Sequence, residues 1–172
     1  MHILFPAAIL MMIFSRWLYP RMFNAEFHKS ADVFFIFLNF NALSVLAVTY
    51  RLRGETIQAD RVIATLLSID PLNHFADFER FLLHNSPDNL SLFKSGIRNE
   101  FPYQTFLELG IGYQNLGRTK DALLVLDNAP AHPLVMLWKA FLKDDSSMLD
   151  QIAKASPAFV FPYRTETLAT LT

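Results

Sequence analysis

Apolar residues recur three and four positions apart along most of the chain after residue 40, which is the spacing of an amphipathic helix. The first such stripe consists of Leu43, Leu46, Ala47 and Tyr50. Gly54 follows where this helix must stop, a position that favours a residue tolerating positive φ. The next stripe consists of Ala59, Ile63 and Leu66, and Pro71 ends its helix. The pattern therefore predicts a pair of antiparallel helices over residues 40–72.

The same order of residues returns about 63 positions later, which is close to two repeats of roughly 34 residues. The second copy consists of Phe106, Leu109, Gly110, Tyr113, Gly117, Ala122, Leu126 and Ala129. Ala59 and Ala122 are small where two helices are expected to approach closely. A degenerate unit between the copies is predicted from the stripes Phe75, Phe78, Phe81 and Leu82, then Leu90, Phe93 and Ile97.

The pattern resumes after Pro133, and it stops within a further unit that begins at residue 163. The prediction is an all-α fold, a solenoid of antiparallel helix pairs forming an α-α superhelix. Its units cover about residues 40–72, 73–102, 103–133 and 134–162, with the start of another at 163. Because the last unit is incomplete, we expect the chain to be a fragment or its end to be covered by another subunit.

The first 39 residues differ from the rest and are predicted to form an apolar, helical leader. Residues 3–15 carry no charge but are shorter than the roughly 17–25 apolar residues of a membrane span. Residues 33–50 are long enough to span, yet polar residues interrupt them and Asn41 resembles a helix N-cap. A buried helix is favoured. A membrane anchor, a divergent repeat and an early start codon remain alternatives for this leader.

Composition narrows the classes of function. The 172 residues have a net charge of -1 and no run of Lys or Arg, so the basic surface that nucleic acid requires is missing. The absence of cysteine excludes disulfides and thiolate chemistry. Hydrophobic residues make up 52% of the chain, and after Phe40 the helix stripes account for most of them.

Two local motifs could carry chemistry, and each has a structural explanation. Residues 112–119 match a phosphate-binding loop except that Arg118 replaces the Lys, and they fall between two predicted helices. His74, Asp77 and Glu79 are a dense group of potential ligands, but helix capping explains the region without a metal. We therefore predict a non-catalytic protein with no cofactor and no metal site.

Several segments carry a family resemblance: Ile69-Asp-Pro-Leu-Asn-His-Phe-Ala-Asp-Phe-Glu79, Tyr113-Gln-Asn-Leu-Gly-Arg118 and Ala155-Ser-Pro-Ala-Phe-Val-Phe-Pro-Tyr-Arg164. With the repeat pattern, they resemble the tetratricopeptide-repeat superfamily. They are similar to the helical region of bacterial proteins that carry it behind a mutarotase-like β-sandwich domain of uncharacterised function. The resemblance covers about residues 41–172. It implies a protein-interaction or scaffold module, or alternatively an accessory region of a carbohydrate-active protein.

In stacked helix pairs the first helix of each pair lines a concave surface that can bind peptides. The surface predicted here, called the predicted groove, consists of Asn41, Ser44, Val48, Arg51, Phe75, Phe78, Leu82, Gln104, Leu107, Ile111 and Gln114. Its apolar middle predicts a protein or peptide partner with an apolar or amphipathic segment. Alternatively, the chain's own N-terminal helix occupies it. The predicted location is cytoplasmic, or membrane-associated through residues 1–39.

Overall fold

Helices and short turns make up the described part of the chain, residues 41–98 and 101–154 of a computed structural model. The helices are α1 (residues 41–52), α2 (Thr56–Ile69), α3 (His74–His84), α4 (Pro87–Gly96), α5 (Pro102–Asn115), α6 (Thr119–Asp127), α7 (Pro133–Lys143) and α8 (Leu149–Ala153), with a 3-10 helix at Ser146–Met148. These residues contain no strand, so the all-α prediction is confirmed for them. The predicted leader and the unit expected at residue 163 lie outside them.

Each predicted repeat unit contains a pair of these helices, α1 with α2, α3 with α4, α5 with α6, and α7 with α8. Three helices begin with a proline, at Pro87, Pro102 and Pro133. Proline suits the first helical position because its backbone has no N–H to leave unpaired. The predicted units 73–102 and 103–133 therefore each end one residue too late, since Pro102 opens α5 and Pro133 opens α7.

Left-handed backbone conformations follow α1, α3, α5 and α7. Gly54 and Gly117 have φ of 72° and 70°, which confirms the conformations predicted for them. Asn85 and Asp144 have φ of 47° and 52°. Asn and Asp are among the few residues other than glycine that tolerate this region. The four residues lie 31, 32 and 27 positions apart, so the turn that ends a first helix recurs at nearly regular intervals.

The turns after α1, α5 and α7 share one hydrogen-bond arrangement. The residue after the left-handed one donates its N–H to the carbonyl five residues before its own position, at Tyr50, Tyr113 and Ala140, over 2.9, 2.9 and 3.0 Å. The left-handed residue itself donates to the carbonyl three positions back, at 3.0, 2.9 and 3.2 Å. This Schellman arrangement satisfies carbonyl groups that the end of a helix would leave unpaired.

The described chain divides into two compact units, up to Glu79 and from Arg80 onward, with the boundary inside α3. In the first unit Ala47, Ala59, Ile63, Leu66 and Phe78 are buried. Apolar burial of this kind is the main stabilising contribution to a helical fold, at roughly 25 cal/mol per Å². None of the helices within residues 41–98 and 101–154 combines the length and the hydropathy that crossing a bilayer requires.

The second unit has an apolar cluster formed by α5, α6 and α7. Its buried members are Tyr103, Leu107, Ile111, Leu126, Leu134, Val135 and Trp138. Helices α5 and α6 approach closely at Gly110, where an added Cβ would lie 3.1 Å from Cδ2 of Leu126. Ala122 is fully buried, as the small residue predicted there should be. Helix α7 packs against both α5 and α6, and it also contacts α8.

Candidate interaction surface

Four of the six apolar members of the predicted groove lie in the interior of the protein. Val48, Phe78, Leu107 and Ile111 are exposed by only 5%, 0%, 4% and 9%. Leu107 and Ile111 belong to the apolar cluster around Trp138. Side chains that pack inside their own unit cannot also contact a partner, so these four residues are corrected to core. Contact of the half-buried Phe75 and Leu82 with a partner stays a prediction. A three-and-four spacing identifies the packed face of a helix, but it does not distinguish a core from an open concave surface.

The other members of the predicted groove remain at least partly accessible. Asn41 is exposed, and the half-buried members are Ser44, Arg51, Phe75, Leu82, Gln104 and Gln114. Gln114 accepts a hydrogen bond through Oε1 from the Thr119 hydroxyl at 2.9 Å, which joins α5 to the start of α6. Contact of these residues with a partner stays a prediction.

Arg51 forms an ion pair with the buried carboxylate of Glu79 in the first unit. Its Nε donates to Oε2 of Glu79 at 2.8 Å and its Nη2 donates to Oε1 at 3.0 Å. The side chains are exposed by 12% and 0%. A guanidinium that faces a carboxylate in this two-bond geometry gives one of the stronger charge-assisted contacts. Arg51 therefore links α1 to α3.

Sequence reasoning missed this pair, although a signal exists. Glu79 lies four residues after Phe75 and three before Leu82, so it falls on the apolar stripe of α3. A carboxylate on a buried stripe requires a cationic partner. The pairing also removes Glu79 from the possible ligand group with His74 and Asp77. Within the two described ranges, no three His, Asp or Glu residues come together as a metal site would require.

The residues that resemble a phosphate-binding loop form the end of α5, a turn and the start of α6. Gly112 lies inside α5 and Gly117 provides the left-handed turn. Arg118 donates from Nε to Oδ2 of Asp121 at 3.0 Å. A phosphate-binding loop joins a strand to a helix. Residues 112–119 instead join two helices through a turn, and this is the structural role that the sequence predicts for them.

The outward side of α1 is apolar and exposed. Val45, Leu46 and Leu52 have 44%, 37% and 49% of their surface accessible, and Ala42 and Thr49 are also exposed. Val45 and Leu46 each lie three or four residues from both Ala42 and Thr49, and Leu52 lies three after Thr49. These five residues therefore share one side of the helix, called here the α1 outer face. The opposite side carries buried Ala47 and Val48. Helix α1 is thus apolar on both sides.

The corresponding side of α5 has a different character. The positions equivalent to Val45 and Leu52 in the second copy are Glu108 and Asn115, and both are exposed. The helix pair therefore tolerates polar residues at these positions. At these two positions the apolar residues belong to the first copy, whereas Leu109 in α5 matches Leu46. Contiguous exposed apolar surface is a feature of interaction sites.

Comparison with known proteins adds no relative. No protein-family model, no curated protein and no solved structure matches this chain.

Proposed function

We propose that this chain is a non-catalytic interaction module built from tetratricopeptide-like helix pairs. The support is the recurrence of one turn: left-handed residues 31, 32 and 27 positions apart end successive first helices. The large, small and aromatic residues of the two clear copies keep the same offsets. An array of helix pairs of this kind typically presents helix surfaces to partners.

The α1 outer face is the proposed contact surface, and its partner is an amphipathic segment of another protein. The single observation that carries this proposal is the exposure of Val45 and Leu52 at positions where α5 has Glu108 and Asn115. Covering what remains exposed of three large apolar side chains would contribute about 3 kcal/mol, since full burial of one is worth roughly 1.5–3 kcal/mol. That is a factor of about 100 in affinity.

Site-specific photo-cross-linking in the native cells tests the proposal. A photoreactive phenylalanine analogue replaces Val45 in one full-length variant and Glu108 in a matched control. Both positions are exposed and occupy equivalent sites on α1 and α5. We expect adducts with another protein from position 45 and none with that protein from position 108. Adducts formed only within the chain or with a second copy, or identical adducts from both positions, would contradict the proposal.

A further inference from the structure

A cavity of about 210 Å³ opens between α7 and α8. It is lined by Leu137, Ala140, Phe141, Asp144, Asp145, Ser146 and Leu149, and is called here the α7–α8 pocket. Small-molecule sites usually measure roughly 300–1,000 Å³, so this volume suits one side chain better than a whole ligand.

The wall of the pocket is apolar and held in place. Phe141 and Leu149 are 44% and 45% exposed. The Phe141 ring packs edge to face on the buried Trp138, with ring centroids 5.8 Å apart and an interplanar angle of 82°. A partner therefore meets an aromatic surface that is already oriented, which reduces the entropy lost on binding.

The rim of the pocket is negative. The Ser147 hydroxyl and then the Ser147 N–H lower the pKa of Asp145 by hydrogen bonding, so this carboxyl is ionised at neutral pH. Asp144 lies beside it at the carboxyl end of α7, where the helix dipole adds negative charge. Lys143 is the cation that also acts on Asp145. Two carboxylates and a helix terminus against one ammonium leave a negative balance.

We propose that the α7–α8 pocket binds one apolar side chain of a protein partner whose neighbouring residues are Lys or Arg. The apolar wall takes the side chain, and Asp144 and Asp145 face the flanking cations. This inference rests on the proposed interaction function and specifies the chemistry of a second contact, separate from the α1 outer face.

The test is an NMR titration of the isotope-labelled full chain with three short peptides. The first has a central leucine flanked by two arginines, the second has glutamates in place of the arginines, and the third has alanine in place of the leucine. We expect the first to perturb the amide signals of Phe141, Asp144 and Leu149, and to bind about tenfold more tightly than each of the others. High salt should reduce its advantage over the glutamate peptide.

Two variants test whether the preference for the arginine peptide depends on the carboxylates at the pocket rim. Asp144→Asn with Asp145→Asn removes both charges while keeping a residue that tolerates the left-handed turn, and should bring the arginine and glutamate peptides within about twofold. Asp88→Asn, an exposed charge in α4 of the same unit, should leave the preference unchanged.

Equal binding of the arginine and glutamate peptides, perturbations confined to other surfaces, or no binding would overturn the pocket proposal. None of these results affects the cross-linking from position 45, so the two proposals fail separately.

Discussion

The two clear copies of the helix pair, α1 with α2 and α5 with α6, share their turns and differ in what their first helices contact. Gly54 and Gly117 have nearly the same φ and the same pair of backbone hydrogen bonds. Yet Arg51 joins a buried carboxylate 28 residues away, while the equivalent Gln114 bonds to Thr119 five residues away. The local backbone is thus conserved between copies, and the long-range contacts are not.

The surfaces of the two copies differ in the same way. Where α1 exposes Val45 and Leu52, α5 exposes Glu108 and Asn115. A helix needs only one packed face to hold its place in a pair. The second, exposed face is free to vary, and in α1 it is apolar. The comparison therefore separates residues that pack within each helix pair from residues that stay exposed on its first helix.

The largest effect is expected from the buried ion pair. Glu79→Ala leaves the largely buried Arg51 guanidinium without its carboxylate, and loss of one partner of a buried pair costs about 3–5 kcal/mol. The equivalent change in the second copy, Gln114→Ala, removes a neutral hydrogen bond worth about 1 kcal/mol. Urea unfolding of both variants measures the difference. Equal losses in the free energy of unfolding would contradict the claim that the contact of Arg51 stabilises its copy more than the contact of Gln114 stabilises the other.

A double replacement, Arg51→Met with Glu79→Leu, refines this result. Because it removes both charges together, we expect it to recover most of the stability lost in Glu79→Ala. If the double variant is as unstable as Glu79→Ala, packing rather than charge determines the loss.

The turns at Gly54 and Gly117 should lose similar amounts of stability when the glycine is replaced by alanine. Gly54→Ala and Gly117→Ala each place a Cβ in open space but force alanine into the left-handed region, which costs about 1–2 kcal/mol. Thermal unfolding of the two variants should show losses that agree within about 0.5 kcal/mol. Losses that differ by more would indicate that the shared hydrogen bonds do not make the turns equivalent.

The outer faces should matter little for stability. Val45→Glu with Leu52→Asn places the polar residues of α5 on α1, where the native side chains are exposed, and we expect a change within about 0.5 kcal/mol per site. Chemical denaturation of the purified chain measures it. A loss of several kcal/mol would show that this face packs inside the chain in solution.

The smallest effect concerns the turn after α7, which has the same hydrogen-bond arrangement. The folded-state pKa of Asp145 lies below its ordinary value of 3.8, so its hydrogen bonds to Ser147 contribute stability above that pH. The contribution is lost as pH falls through the folded-state pKa. Asp145→Asn should therefore show a slightly shallower loss of ellipticity under acid than the native chain. A steeper loss would contradict the assigned direction.

The sequence predicts the features that depend on neighbouring residues. Three-and-four spacing identifies the helix pairs, and Gly54 and Gly117 predict the turns, because both signals are local. Asn85 and Asp144 perform the same role at the other turns but were not predicted, since either residue is common in ordinary loops.

The site was harder to predict for a physical reason. Leu107 and Ile111 carry the same periodic signal whether their face meets another helix or a partner, so burial could be assigned only from the packing. The ion pair between Arg51 and Glu79 joins two helices that are distant in sequence. Its only local sign is that Glu79, a charged residue, falls on the apolar stripe of α3. The exposed apolar residues of α1 became informative only when compared with their equivalents in α5.

The most direct test of the proposed interaction function measures the affinity of the chain for a protein that cross-links to position 45. Calorimetry would compare the native chain with the Val45→Glu, Leu52→Asn variant, using Glu108→Gln on α5 as a control. Loss of the buried apolar surface predicts binding at least tenfold weaker for the variant, about 1.4 kcal/mol, with the control unchanged. An affinity within about twofold of the native chain, with the fold intact by circular dichroism, would contradict the assignment of the α1 outer face as the binding surface.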